Sequence, residues 1–137
     1  MKNSRSIKGI LLLVMLSLIL TVGCAAKSIT PPAGAEVKED TLTVTLEENP
    51  TTGYLWNMVM GTEGILALQS DAYTPTKTAD KVVGSGGNHS WVFKGVSKGE
   101  TVLTFKYFRP WEKEDTATEK RTYTVTVADD GKITSVK

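Results

Sequence analysis

The sequence has few of the residues that perform catalysis or bind metals. One cysteine, Cys24, and one histidine, His89, occur in 137 residues. A single cysteine excludes an intramolecular disulfide, and zinc sites are built from histidine clusters or cysteine pairs that are missing here. Ser85 and Asp80 lie near His89 in the chain, but a glycine-rich stretch gives a catalytic triad no rigid support. We therefore predict no enzyme activity, no metal and no cofactor.

An excess of one charge and a helical repeat are also missing. Lys and Arg together number 16, and Asp and Glu number 15. This balance gives no electrostatic reason to bind nucleic acid. Beyond residue 23, no stretch sustains the 3.6-residue apolar repeat of an amphipathic helix. The domain is therefore expected to contain little or no helix.

The N-terminal segment has the composition of an export signal. Lys2, Arg5 and Lys8 precede an apolar run over residues 9–23, which is typical of a secretory signal peptide. The run is shorter than the roughly 20 residues of a membrane-spanning helix. We predict a signal peptide over residues 1–23, with an uncleaved membrane anchor as the alternative.

The end of this segment indicates lipid attachment. Residues 20–24 resemble the lipobox of bacterial lipoproteins, although Thr21 stands where leucine is usual. An unpaired thiol is uncommon outside the cytoplasm, so lipidation is a better use of Cys24 than a free thiol. Residues 24–40 are then predicted to be a lipidated N-terminus and a tether. We expect an exported lipoprotein on the extracytoplasmic side of the bacterial cell envelope.

Alternation of apolar residues with threonines predicts strands over residues 41–137. The sets that face one way are Leu42 to Leu46, Trp91 to Phe93, Leu103 to Tyr107 and Tyr123 to Val127. Period two with β-branched partners is typical of strands with one buried face. About seven short strands at regular spacing predict an all-β antiparallel sandwich.

Two segments fit this pattern less simply. Residues 54–60 are apolar on both faces apart from Asn57, so we predict a central strand there. Residues 63–70 fit either a short strand or a helical turn. A sandwich gathers alternate loops at one end, and loops on a rigid scaffold are where binding groups tend to lie.

The first loop, residues 49–54, is short and stiff. It contains Asn49, Pro50, Thr51, Thr52, Gly53 and Tyr54. Proline fixes its own φ and favours an extended conformation in the residue before it. Gly53 permits a positive φ as the chain enters the next strand. Taken alone, the segment also fits an ordinary β-turn with Asx character.

The glycine loop, residues 84–87, is Gly84-Ser85-Gly86-Gly87. Three glycines in four residues let the backbone approach a partner closely. A phosphate loop would require a helix after it, whereas residues 89–93 have a strand pattern. A flexible hairpin tip remains the alternative.

The tryptophan loop, residues 109–111, places two binding-prone side chains together. Pro110 separates Arg109 from Trp111, and charged residues follow at 112–115. Trp and Arg are the residue types that dominate binding hot spots. We predict that Trp111 lies outside the core; the alternative is a ring folded back on the edge of the sandwich.

Together and in this order, the three motifs resemble those of the chagasin family of cysteine-protease inhibitors. That family has N-P-T-T-G-[YF]-x-W, then G-x-G-G, then R-P-W. They stand here at residues 49–56, 84–87 and 109–111, and the resemblance extends from about Thr41 to Asp129. It implies an immunoglobulin-like fold over residues 41–137 with the three loops at one end.

The resemblance also implies a target and a role for each loop. The expected partner is a papain-like cysteine protease, bound reversibly by a monomer with its catalytic cleft occluded. Thr51 would approach the catalytic cysteine, residues 84–87 would lie on the non-primed side, and Trp111 would meet an aromatic residue on the primed side. Arg109 would either pair with an acid of the protease or brace its own loop. The alternative function is a cell-surface adhesion or carbohydrate-binding module, since exposed aromatic rings also suit sugar stacking.

Overall fold

The computed structural model describes residues 28–77 and 84–137. The predicted signal peptide and Cys24 lie outside these residues, as does Asp80. Within the described part of the chain, no helix is long and apolar enough to cross a membrane.

Two antiparallel sheets of four strands each form the described domain. The strands are β1 (Ala35–Lys38), β2 (Thr41–Glu48), β3 (Leu55–Met60), β4 (Leu66–Pro75), β5 (Gly87–Gly95), β6 (Gly99–Phe108), β7 (Glu119–Val127) and β8 (Ile133–Val136). The first sheet has the order β1-β2-β5-β4 and the second has the order β3-β6-β7-β8. The predicted all-β sandwich is confirmed, with eight strands in the described residues instead of about seven.

The core lies between the sheets and is built by the alternating residues. Leu42 and Val44 of β2 and Trp91 of β5 are buried against Phe105 of β6 and Tyr123 of β7. The rings of Trp91 and Phe105 lie 4.8 Å apart, which joins the two sheets at their centre. Each large apolar side chain fully buried in this way contributes about 1.5–3 kcal/mol. The period-two prediction of the inward faces is therefore confirmed for these strands.

The prediction that residues 54–60 form a central strand is wrong. Among the described strands, β3 pairs only with β6 and lies at the edge of its sheet. Its outward side chains are in contact with solvent: Leu55 is 38% exposed and Val59 is 50% exposed. Trp56, on the other face, is buried in the core. Only one face of β3 is therefore buried, and the apolar side chains on its other face are exposed at the edge of the sheet.

The stretch predicted as a tether contains part of the folded domain. β1 pairs with β2 from Ala35 to Lys38, and the hydroxyl of Tyr123 donates to the carbonyl of Ala33 at 3.0 Å. Burial raises the pKa of Tyr123, so this hydroxyl keeps its proton. The domain therefore begins ahead of Thr41. Its four residues do alternate, but they are at the lower limit of the pattern and follow Pro31-Pro32-Ala33-Gly34, which favoured a tether.

The topology brings the three loops to one end of the sandwich. β2 ends and β3 begins at the first loop, β5 begins at the glycine loop, and β6 ends at the tryptophan loop. The segment left open between a strand and a helical turn begins as a turn at Glu63 and continues as β4 from Leu66. That turn lies at the opposite end, because β4 starts beside the end of β5.

Candidate functional site: three loops at one end of the sandwich

The first loop is a capped turn of 3-10 helix. Pro50–Thr52 form the turn, and Asn49 caps it: its Oδ1 accepts from the backbone N–H of Thr51 at 3.3 Å and from the Thr51 hydroxyl at 2.5 Å. Gly53 has φ of 81° and donates its N–H to the Pro50 carbonyl at 3.0 Å. A positive φ costs glycine little. These internal bonds give the loop one well-defined conformation.

Asn49 also connects the first loop to the glycine loop. Its side-chain Nδ2 donates to the carbonyl of Gly84 at 3.0 Å, and its backbone N–H donates to the Tyr107 hydroxyl at 3.0 Å. The Thr51 hydroxyl lies close to Gly84, since a Cβ at Gly84 would lie 3.6 Å from it. The two loops are therefore fixed relative to each other by one side chain.

The glycine loop is exposed at its start and buried at its end. Gly84 and Ser85 are exposed, Gly86 is half-buried with φ of 63°, and Gly87 is buried as the first residue of β5. A Cβ on Gly87 would come within 2.8 Å of the Tyr73 hydroxyl. Gly87 therefore packs at the base of the loop, and the accessible backbone is that of residues 84–86.

Arg109 braces the first loop from the other side. Its guanidinium carbon lies 4.6 Å from the centre of the Tyr54 ring, and its Nε donates to the Thr52 carbonyl at 3.4 Å. Its Nη1 lies 3.5 Å from Glu112 in its own loop. An exposed cation–π contact contributes about 0.5–1 kcal/mol. Arg109 therefore contacts both its own loop and the first loop, and its pairing with an acid of the protease stays a prediction.

Trp111 rests on the first loop and remains open to solvent. Its side chain is 72% exposed, which confirms that it lies outside the core. The ring nevertheless covers Gly53, because a Cβ there would lie 2.5 Å from Cη2 of the indole. The indole ring can lie in this position because Gly53 has no side chain. Pro110, which precedes Trp111, is exposed.

Beneath the loops lies a carboxylate that motif-based reasoning missed. Glu48, the last residue of β2, is 4% exposed. Its Oε2 accepts from the backbone N–H of Trp56 at 2.8 Å and lies 3.1 Å from Nδ1 of His89. The other ring nitrogen of His89 lies 2.5 Å from Oδ1 of Asp71. The alternation could have located Glu48, since it continues the inward-facing series from Leu42 to Leu46.

Comparison with known proteins decides the family. The model of the chagasin family of peptidase inhibitors, I42, matches residues 37–127, which include all three loops. The chain belongs to the chagasin family. It is therefore a peptidase inhibitor and not an enzyme, and the resemblance stated from the motifs is confirmed.

Two proteins of Entamoeba histolytica are similar to this chain. The chain is 30% identical to amoebiasin-2 over 88 residues, covering 64% of this chain and 71% of the relative. It is 32% identical to amoebiasin-1 over 84 residues, which cover 61% of this chain and 76% of amoebiasin-1. The crystal structure of the cysteine protease inhibitor EhICP2 superposes with a TM-score of 0.58 at 27% identity, covering 64% of this chain and 78% of that one. The likeness supports the immunoglobulin-like sandwich and does not favour the adhesion alternative.

Proposed function

We propose that this protein is a reversible, tight-binding inhibitor of papain-like cysteine proteases that occludes the catalytic cleft with its three loops. The observation that carries the proposal is the mutual bracing of these loops, in which Asn49 holds Gly84 and Arg109 holds Tyr54. A binding surface that is ordered before it meets its partner loses little conformational entropy on binding. The similar protein EhICP2 is itself described as a cysteine protease inhibitor.

Within this proposal the three loops have unequal roles. Thr51 is exposed in the capped turn, between the glycine loop and the tryptophan loop, and would meet the catalytic cysteine. The glycine loop, residues 84–87, would lie along the non-primed side, where the accessible residues 84–86 would offer backbone groups to the substrate groove. Trp111 would pack on an aromatic residue of the primed side, where a large exposed ring supplies apolar contact area.

The conformation of the first loop explains how an inhibitor could enter the cleft and remain uncut. Pro50–Thr52 form a helical turn, whereas bond cleavage requires reacting atoms held about 3–3.5 Å apart in an attack geometry. A turn closed by its own hydrogen bonds does not present an extended peptide. We therefore expect occupancy of the cleft without proteolysis.

A titration of papain tests the proposed function. We expect the chain from Ala25 onward to reduce papain activity in proportion to its concentration, with the loss complete near one inhibitor per active site. Dilution of the complex should restore activity, and a serine protease should be unaffected. Papain activity that stays constant in a large excess of the inhibitor would contradict the proposal.

We further propose that the protein is exported and held on the membrane by lipid on Cys24, with residues 1–23 removed as a signal peptide. The support is the basic start, the short apolar run and the small residue before the cysteine.

Cys24→Ser is expected to release the protein from membranes. The substitution removes the thiol that would carry the acyl chains, and without several chains a domain of this size has no firm anchor. Fractionation of cells with and without detergent measures the change. Thr21→Leu, which restores the usual lipobox residue, serves as the matched control and should remain membrane-bound. Membrane association of Cys24→Ser equal to that of the wild type would indicate an uncleaved helix instead.

A further inference from the structure

The first loop lacks the support that an ordinary hairpin receives from its own strands. β2 pairs with β1 and β5 in one sheet, whereas β3 pairs with β6 in the other. The two strands that flank the first loop therefore make their backbone hydrogen bonds in different sheets. Because ladder bonds cannot close its base, side chains must fix the distance between the two strands.

Two residues at the end of β2 close this base. The Glu48 carboxylate accepts from the backbone N–H of Trp56 at 2.8 Å, and the Glu47 carbonyl accepts from Nε1 of Trp56 at 2.8 Å. Both bonds cross from one sheet to the other. Of these two bonds, only the one to the Glu48 carboxylate depends on a side chain of β2. A substitution of Glu48 would therefore change the position of the first loop above the core.

The same carboxylate holds the strand that leaves the glycine loop. His89 lies on β5, two residues after Gly87, and its Nδ1 is 3.1 Å from Oε2 of Glu48. The imidazole is fixed in turn by Asp71 of β4 and by stacking on Trp91, with ring centres 4.0 Å apart. Oε2 of Glu48 therefore contacts both Trp56 of β3, the strand after the first loop, and His89 of β5, the strand after the glycine loop.

We propose that Glu48 is a positioning residue for protease inhibition, acting through the N–H of Trp56 and the imidazole of His89. This inference rests on the proposed function, because the quantity it controls is the spacing of the first loop and the glycine loop over the protease cleft. In active sites a misplacement of about 1 Å can cost about a hundredfold in rate, and misplaced loops likewise lose contacts with the cleft that they occupy. A buried N–H left without an acceptor is itself unfavourable, so the loop base would shift to find water.

Three substitutions of Glu48 in the full-length chain, purified in a mild detergent, test the proposal. Glu48→Ala removes the acceptor, and Glu48→Asp keeps the charge but shortens its reach by one methylene. We expect both to raise the inhibition constant for papain about tenfold or more. Glu48→Gln keeps an oxygen at the same reach and should stay within about threefold of the wild type. Glu36→Ala, an exposed glutamate on the neighbouring strand β1, is the matched control and should have no effect.

Amide exchange separates positioning from stability alone. Hydrogen–deuterium exchange of the peptide from Tyr54 to Met60 should accelerate in the Ala and Asp variants, while peptides from β7 should be unchanged. Inhibition constants are measured well below the melting midpoint, where a role confined to stability would leave them unaltered. A lowered midpoint with unchanged inhibition constants would therefore overturn the proposal.

The remaining outcomes are also decisive. If Glu48→Ala does not fold, Glu48→Asp carries the comparison with Glu48→Gln. Inhibition by Glu48→Asp equal to that of the wild type would overturn the proposal. If the wild-type chain does not inhibit papain, the proposed function fails, and the exchange of the Tyr54–Met60 peptide still decides whether Glu48 holds the base of the first loop.

Discussion

Thr51→Arg is expected to abolish measurable inhibition of papain, with a loss of at least about 100-fold, or about 2.7 kcal/mol. Thr51 is exposed in the capped turn, and its hydroxyl donates to Oδ1 of Asn49. Arginine there would break that bond and introduce a long charged side chain at the centre of the binding surface. A charge buried without a partner at an interface costs about 2–5 kcal/mol. Inhibition constants from papain titrations measure the effect.

Thr62→Arg is the matched control for this prediction. Thr62 is also exposed but lies in the turn between β3 and β4, at the opposite end of the sandwich. The same exchange there should leave inhibition within about twofold, since surface substitutions away from special features change free energies by about 0.5 kcal/mol or less. Normal inhibition by Thr51→Arg would show that the first loop does not enter the cleft.

Trp111→Ala is expected to weaken inhibition by about 2 kcal/mol or more, as for an aromatic hot spot. The ring is 72% exposed, so its loss should not change the melting midpoint by more than a degree or two. Two effects add in the complex: apolar contact area is lost, and the backbone of Gly53 loses the ring that covers it. Dissociation rates should account for most of the change, because related complexes differ mainly in how fast they separate.

Val96→Ala controls for the removal of an exposed apolar side chain. Val96 is 51% exposed and follows β5 at the end of the sandwich far from the loops. Its truncation should leave both inhibition and stability close to the wild type. If Trp111→Ala and Val96→Ala inhibit papain equally well, Trp111 does not contact the protease.

The fold was predictable where one face of a strand is buried. Alternation identified β2, β6 and β7 because each places every second residue in the core. It misjudged β3, because apolar residues on the outward face of an edge strand give the same pattern as residues buried on both faces. It missed β1, because that strand has only four residues and follows a proline- and glycine-containing stretch that is typical of a tether. Periodicity reports which way side chains face, not which strands are neighbours.

The candidate site was predictable as a set of motifs but not as a network. Proline, glycine and asparagine at fixed offsets specify local backbone geometry, and the capped turn at Pro50–Thr52 agrees with it. The contact from Asn49 to Gly84 joins residues 35 positions apart, and that from Arg109 to Tyr54 lies just beyond the pairing of β6 with β3, in which Phe108 stands opposite Leu55. Such pairs depend on how the strands are ordered, which no local pattern contains. For Glu48, the alternation along β2 predicts that the side chain faces inward, but it does not predict the contacts with Trp56 and His89.

The order of Asn49 and Pro50 has a consequence for the chemical lifetime of the surface. Asparagine commonly deamidates when the backbone nitrogen of the following residue attacks the side-chain carbonyl. Proline has no N–H, and its ring nitrogen cannot close that intermediate. Deamidation at Asn49 would replace the Nδ2 donor to Gly84 with a negative oxygen facing a carbonyl. The residue that joins the two loops is thus followed by a residue that blocks this route of deamidation.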